Sequence, residues 1–360
     1  MKKTSYTPND KIDYRKMLEK SGISASAPCR IDMGGTLDIA TFHYPLASIA
    51  PMTVNIAIDM RTRVDLLPYT KGYVKISSKG FDDAEFPAEC LPFDHPMGLM
   101  FAVASYFNAD GVHIKIDSES PPKSAMGGSS VAASALISAF YKIVEKAGFP
   151  YPEKNKIALL AHALEGSVAG VACGIQDQLA AVYGGVNAWK WIADPMRVPF
   201  EREILADEEV FEEMEKSLII AYSGITHVSK DINQRWINGF LSGDERETWI
   251  RIAGLSRDFA GFIKKRLFGK AAEILNEETH LRLLLTPDVL DGMGMDLFHA
   301  AKGKGCGARF TGAGGGGAVY ALGEKEHISA LLPVWSLLLS KRETACILPS
   351  KIAREGLILK

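Results

Sequence analysis

Several things are missing from this chain, and each absence removes a class of function. Cysteine is scarce: Cys29, Cys90, Cys173, Cys306 and Cys346 are five in 360 residues, scattered, with no C-x-x-C pair. A disulfide scaffold or a thiolate zinc site is therefore not expected, and a reduced cytoplasm is the expected compartment. The eight histidines form no H-E-x-x-H. An excess of one charge is missing too: 41 Lys and Arg stand against 43 Asp and Glu, a formal charge of −2. Neither nucleic acid nor a membrane is expected as a partner. No apolar run approaches the roughly 18 residues of a membrane span. The opening MKKTSYTPNDKIDYRKMLEK has no apolar stretch of the secretory kind.

What is present is ordinary globular composition, 47% hydrophobic and 23% charged, in a chain long enough for two domains. Residues 9–20 read as a short helix stopped by Gly22. Strand-like stretches follow at 54–58, 63–67, 73–77 and 112–116. Helical spacing then takes over at 129–147, 154–168 and 176–183, with a strand at 186–192. The character changes near Asp194-Pro195, and a boundary is expected within 195–215, dividing the chain into 1–205 and 206–360. The second half reads as strand 217–221, helices within 228–275, strands 308–311 and 317–322, helix 325–340 and strand 343–348. That order is β-α-β-β-α-β with extra helices, a ferredoxin-like split βαβ layout.

Three segments carry candidate chemistry. In Pro121-Pro122-Lys123-Ser124-Ala125-Met126-Gly127-Gly128-Ser129-Ser130 a strand runs into small residues that open a long apolar helix. A helix N-terminus has unpaired N–H donors and a positive dipole end, so this is a ready anion site. The plainer reading is a loop with a serine N-cap. No Gly-Lys-Ser/Thr follows the glycines, so it is not a Walker A loop. The second segment, 303–320, contains G-x-G-x-x-G at Gly312, Gly314 and Gly317, but a strand-like stretch follows where a dinucleotide fingerprint needs a helix. A wide hairpin turn explains some of these glycines; a backbone pressed against a ligand is the expected reason for the excess. The third is Glu165 followed by Gln176-Asp177-Gln178 and Tyr183-Gly184-Gly185. Alone, Asp177 could simply complement a helix dipole and Glu165 could be a surface residue.

In this order the segments resemble the GHMP kinases, the superfamily of galactokinase, homoserine kinase, mevalonate kinase and phosphomevalonate kinase. Ala27-Pro28-Cys29-Arg30-Ile31-Asp32-Met33-Gly34-Gly35-Thr36-Leu37-Asp38 is similar to that superfamily's N-terminal substrate motif. The 122–133 stretch looks like its ATP-phosphate loop, and 303–317 looks like its third motif. The resemblance spans roughly residues 25–350. Gln176-Asp177-Gln178 and Tyr183-Gly184-Gly185 look most like the sugar kinases, and the Arg30-to-Asp38 pattern leans toward the heptose-phosphate kinase and fucokinase branch. Leu37 stands as an additional residue between Thr36 and Asp38. Met126-Gly127-Gly128-Ser129-Ser130 replaces the usual Gly-Leu-Gly-Ser-Ser, and the galactokinase Gly-Glu-His-Thr-Asp run is absent.

The resemblance implies an α+β chain of two domains: an N-terminal domain like ribosomal S5 domain 2 and a ferredoxin-like C-terminal one. It implies transfer of the γ-phosphoryl of ATP, with Mg²⁺, to a sugar or sugar-phosphate hydroxyl, the anomeric one. ATP would be held by Lys123, Ser124, Ala125, Gly127, Gly128, Ser129 and Ser130. Mg²⁺ would be held by Ser130 and Glu165. Asp177 would orient or deprotonate the acceptor beside Arg30. The acceptor would meet Gly35, Asp38, Tyr183, Gly185, Gly314 and Gly315. A non-sugar acceptor such as mevalonate or homoserine, and a non-catalytic sugar sensor, are the alternatives. A homodimer is left open.

Overall fold

The computed structural model describes residues 5–170, 172–226 and 230–360. Helix α1 (Tyr14–Lys20) is shorter than expected because Asp13 accepts the backbone N–H of Lys16 at 3.0 Å and starts it there. Strand β1 (Ile23–Met33) is followed by the short α2 (Ala40–His43) and by β2 (Met52–Pro68). The strands expected at 54–58 and 63–67 are thus one strand. A bulge joins the halves: Cys29 pairs with Ile58 but Pro28 with Arg61, which leaves Asp59 and Met60 as extra residues.

Strands β3 (Tyr73–Ser78) and β4 (Ala84–Pro87) lead to α3 (Gly98–Tyr106), β5 (Val112–Ser118), α4 (Gly128–Lys146), α5 (Lys154–Ala169) and α6 (Gln176–Tyr183). Strands β6 (Val186–Trp191) and β7 (Phe200–Ala206) complete this half. Long β2 holds β1 along one edge, and β6 and then β5 along the other. Behind the sheet, α4 is buried continuously from Ser130 to Phe140. A helix buried on all sides belongs in a core, and this one opens on its exposed first residues, Gly128 and Ser129.

The second half begins with α7 (Glu208–Lys216) and β8 (Leu218–Tyr222), then α8 (Lys230–Ser242), α9 (Arg246–Lys264), α10 (Phe268–Leu285) and α11 (Gly292–Gly303). Val228 and Ser229, where the helical stretch is expected to start, lie outside the described residues. Strands β9 (Gly307–Phe310) and β10 (Ala318–Leu322), α12 (Lys325–Leu339) and β11 (Cys346–Leu348) follow. The second sheet is antiparallel in the order β11-β8-β10-β9, the ferredoxin-like arrangement of strands 4-1-3-2. Strand β12 (Ile358–Leu359) returns to the first sheet, pairing Leu359 with Ala25, so the last residues of the chain sit on the first half. The α+β architecture with two sheets is the expected one. Strand β1, β4 and α3 are elements that local patterning does not reveal. Among the described residues no helix is long and apolar enough to cross a membrane.

Candidate active site

Between β5 and α4 the backbone takes left-handed φ values at Lys123 (53°), Ala125 (62°) and Gly127 (83°). Three such residues in alternation curl the chain into a concave turn that ends on the first residue of α4. The N–H groups of that first turn have no partner inside the helix, and its dipole favours an anion in front of it. A Cβ built on Gly128 would meet nothing within 4 Å, whereas one on Gly127 would lie 3.2 Å from the Asp177 carboxylate carbon. Gly127 is thus required by its φ and by its neighbour, and Gly128 faces open space.

The loop is held from behind. Arg30 donates from its guanidinium to the Ala125 carbonyl at 2.7 Å, and Ala318 N–H donates to the Ser124 carbonyl at 2.9 Å. The second contact comes from β10, so the loop touches both sheets.

Three carboxylates border the turn. Glu165, on α5, accepts the Ser130 hydroxyl at 2.6 Å and the Ser129 hydroxyl at 3.0 Å, and Gln178 donates to it from α6. Burial pushes the Glu165 carboxyl above its ordinary range, against the lowering effect of the Ser130 hydrogen bond. Asp177, in the first turn of α6, receives Arg30 Nε at 2.8 Å and a terminal nitrogen at 2.7 Å. Burial alone would lower the Arg30 pKa; Asp177 and Asp32 more than offset it. Asp38 accepts the Gln176 N–H at 3.0 Å and so caps α6, while burial raises its carboxyl to about 6. Any Cβ on Gly174 would strike Asp38 Oδ2 at 1.7 Å, so only glycine fits there. Leu37, the additional residue of the motif, is fully buried and leaves Asp38 facing the cavity.

These groups open onto one cavity of about 1160 Å³. Part of its lining is polar: Thr36, Asp38, Gln176, Asp177 and Asn233, with Cys173 and Gly312. Burial, with the carboxylates nearby, pushes the Cys173 thiol up to about 12, so it stays a neutral neighbour. Another part, from β2, β5, α3 and the segments that flank them, is more apolar: Phe81, Met97, Met100 and Ile116, with the hydroxyls of Thr62, Ser118 and Ser120. Sequence reasoning missed this group. Its one local signal is the apolar stretch at 97–103, which reads equally well as core.

Of the residues expected at the site, Arg30, Asp38, Lys123, Ser124, Ala125, Gly127, Gly128, Ser129, Ser130, Glu165 and Asp177 all line this cavity. Gly35, Tyr183, Gly185, Gly314 and Gly315 do not. The Gly35 carbonyl accepts from Arg282 at 2.6 Å, and a Cβ there would meet Asp32 Oδ2 at 2.4 Å. Tyr183 packs its ring against Trp189 and under the Arg202 guanidinium at 4.9 Å. Gly185 N–H donates to the Ala353 carbonyl at 2.7 Å. Gly315 N–H donates to the Val289 carbonyl at 2.8 Å, and a Cβ on Gly314 would stand 2.5 Å from that carbonyl. The glycine run also meets Ser124 at Gly317, where a Cβ would lie 2.6 Å from the Ser124 carbonyl. The expected ligand-facing reason for the excess glycines is therefore corrected at these positions: they press on protein backbone. Gly312 alone of the run's glycines reaches the cavity.

No cluster of three or more His, Cys, Asp or Glu forms among the described residues. Glu165 with the Ser129 and Ser130 hydroxyls is instead a partial shell of hard oxygens. Mg²⁺ fits such a set, because it takes one or two protein oxygens and completes its shell with phosphate oxygens and water.

Comparison with known proteins finds relatives along most of the chain. The family model of the GHMP kinases N terminal domain matches residues 96–185, the stretch from α3 through α6. The mevalonate kinase of Thermococcus onnurineus (strain NA1) is 25% identical over 333 residues, 85% of this chain and 90% of that protein. The D-glycero-alpha-D-manno-heptose 7-phosphate kinase of Campylobacter jejuni is 28% identical over 214 residues, 56% of this chain and 58% of that protein. A solved structure of a D-glycero-D-manno-heptose 1-phosphate kinase from Bacteriodes thetaiotaomicron superposes with a TM-score of 0.72 at 16% identity, over 94% of this chain and 98% of that one.

Proposed function

The chain has the fold of the GHMP kinases, and we propose that it is an ATP-dependent small-molecule kinase whose acceptor is a sugar hydroxyl. The observation that carries this reading is the Asp177 carboxylate, gripped by Arg30 at 2.7 Å and packed against Gly127 at the mouth of α4. A carboxylate beside an anion-binding helix N-terminus is what transfer of a phosphoryl group to an alcohol requires. The acceptor oxygen would attack the γ-phosphorus as the bond to the ADP oxygen breaks, and the hydroxyl proton would pass to Asp177. The N–H groups of Gly128 to Ser130 would hold the phosphates, and Arg30 would offset the charge gathering beside Asp177. Mg²⁺, held by Glu165 and Ser130, would neutralise phosphate charge.

The polar part of the lining supports an uncharged, hydroxyl-rich acceptor. Among the described residues, the cations of the lining are Arg30, Lys79 and Lys123. Arg30 is engaged by Asp177 and Asp32. Lys79 and Lys123 flank Gly80 and Pro122, which approach each other, and Lys123 belongs to the turn before α4. Thr36, Asp38, Gln176 and Asn233 would receive the acceptor, a set suited to sugar hydroxyls and poorly suited to a carboxylate. Transfer to the anomeric hydroxyl is the form of this reading favoured by the motif likeness to heptose-phosphate and fucose kinases. A cytoplasmic location is proposed with it. A mevalonate-type acceptor is the second reading, favoured by the length of the match to the Thermococcus protein.

An ATP-coupled screen over hexoses, deoxyhexoses, heptoses, their phosphates, mevalonate and homoserine separates these readings. Turnover with a neutral sugar is expected. Turnover with mevalonate or homoserine and no sugar would replace the acceptor assignment. ATP binding without turnover of any acceptor would favour a sensor.

A further inference from the structure

The Arg30–Asp177 pair is the exposed end of a longer buried chain of charges. Asp32, two residues along β1 and on the same face as Arg30, approaches the Arg30 guanidinium at 3.4 Å. Its other oxygen, Oδ2, accepts from Arg309 of β9 at 3.1 Å. Arg309 turns its Nε to Glu278 of α10 at 2.8 Å, and the second Glu278 oxygen accepts from Arg282 at 2.8 Å. Arg282 then reaches back to the Gly35 carbonyl and, at 3.4 Å, to the Thr36 hydroxyl. Three acids and three arginines alternate across the junction of the two halves, and Glu278, Arg282 and Arg309 are completely buried.

Stability alone does not account for this arrangement, since well-packed apolar side chains commonly stabilise a core as well as buried ion pairs do. What it does supply is position. Asp32 Oδ1 also accepts the Gly312 N–H at 2.7 Å, and the Asp32 carbonyl accepts the Tyr320 hydroxyl at 2.9 Å. Asp32 is therefore fixed from the second half of the chain, and Arg30 is fixed by Asp32. The Arg309 fork is central because it serves Glu278 and Asp32 at once, and its NH1 also donates to the Asp32 and Phe310 carbonyls at 3.0 and 2.8 Å. A lysine keeps the charge but cannot make that set of bonds.

We propose that Arg309 is a positioning residue for the phosphoryl transfer: through Asp32 it seats Arg30 on Asp177, although it lies outside the cavity. This rests on the kinase reading above. The same clamp holds Thr36, through Glu278 and Arg282, at a φ of 81° on the cavity wall.

The test is a double-mutant cycle of Arg309→Lys and Asp177→Asn in the full chain. Arg309→Lys should lower kcat roughly tenfold or more while KM for ATP stays within about twofold. In the Asp177→Asn background the same substitution should lower kcat much less, because the Arg30–Asp177 ion pair that it seats has lost its charge on one side. Independent, multiplying losses would overturn the proposal, since a merely structural arginine behaves that way. Should Arg309→Lys fail to fold, Arg309→Gln combined with Glu278→Gln removes one buried charge of each sign and enters the same cycle. If the wild-type protein turns over no acceptor, the kinase reading falls separately. Urea unfolding of the four proteins then decides this inference: non-additive stabilities at positions 309 and 177 support it, and additive ones overturn it.

Discussion

The two ends of the proposed phosphoryl path are built by opposite means. At the phosphate end the site is backbone: a turn of small residues, a helix N-terminus, and a Gly128 with open space before it. At the carboxylate end it is side chains drawn from far apart, with Arg30 and Asp177 separated by 147 positions and Arg30 almost wholly buried. The first kind of site asks of its sequence only smallness and φ. The second asks for particular charges, each held by another. A substitution at the phosphate end should therefore spare the fold and remove binding. At the carboxylate end substitutions should spare binding and reach both chemistry and stability.

The largest effect is expected at Asp177. Asp177→Asn keeps the size that Gly127 permits and can still accept from Arg30, but removes the charge. Turnover in the coupled assay should drop roughly 10²-fold or more, with nucleotide and acceptor affinities within a few fold. Near-normal turnover would make Asp177 a helix-start residue and erase the contrast. Next comes Gly128→Val. Nothing stands within 4 Å of the new Cβ, so the melting temperature should hold while the side chain fills the space of the phosphates. Calorimetric titration should show ATP affinity reduced by roughly tenfold or more, on the order of 1.4 kcal/mol. Retained affinity in the folded variant would move the phosphates away from α4.

The smallest effect is a pH dependence at Asp38. Its folded-state pKa of about 6 lies above the ordinary 3.8. The folded state then binds this proton more tightly than the unfolded state. The stabilisation is full below about pH 4 and is lost as pH rises through about 6. Asp38→Asn, which can still accept the Gln176 N–H, should remove that slope. Urea unfolding at about pH 4 and about pH 7 should show the variant gaining on the wild type at the higher pH. An unchanged difference between the two would mean that the Asp38 charge is not buried at a cost, and that the carboxylate end is less enclosed than its geometry indicates.

The phosphate loop, α4, α5 and α6 were legible because each is written in consecutive residues. Helical spacing and a glycine at the right place are local, and hydrogen bonds within a helix join near neighbours. The strand order of the second sheet was legible as an order of elements. The single long β2 was not, since its continuity depends on a bulge against β1. Motif likeness brought Arg30, Glu165 and Asp177 to one site without saying how they meet. It also named Gly35, Tyr183, Gly185, Gly314 and Gly315, which do not line the cavity and which contact Arg282, Arg202, Ala353 and Val289.

By itself, the sequence determined the turn of small residues and the helix that starts after it, because smallness and a helix start are properties of neighbouring residues. Only the tertiary structure decided that Asp32, Arg309, Glu278 and Arg282 join Arg30 in one buried charge chain. A charge in water is nearly indifferent to a partner, and the same charge stripped of water is strongly held by one. Which charges lose their water depends on how the two sheets close, and no local pattern in the chain records that.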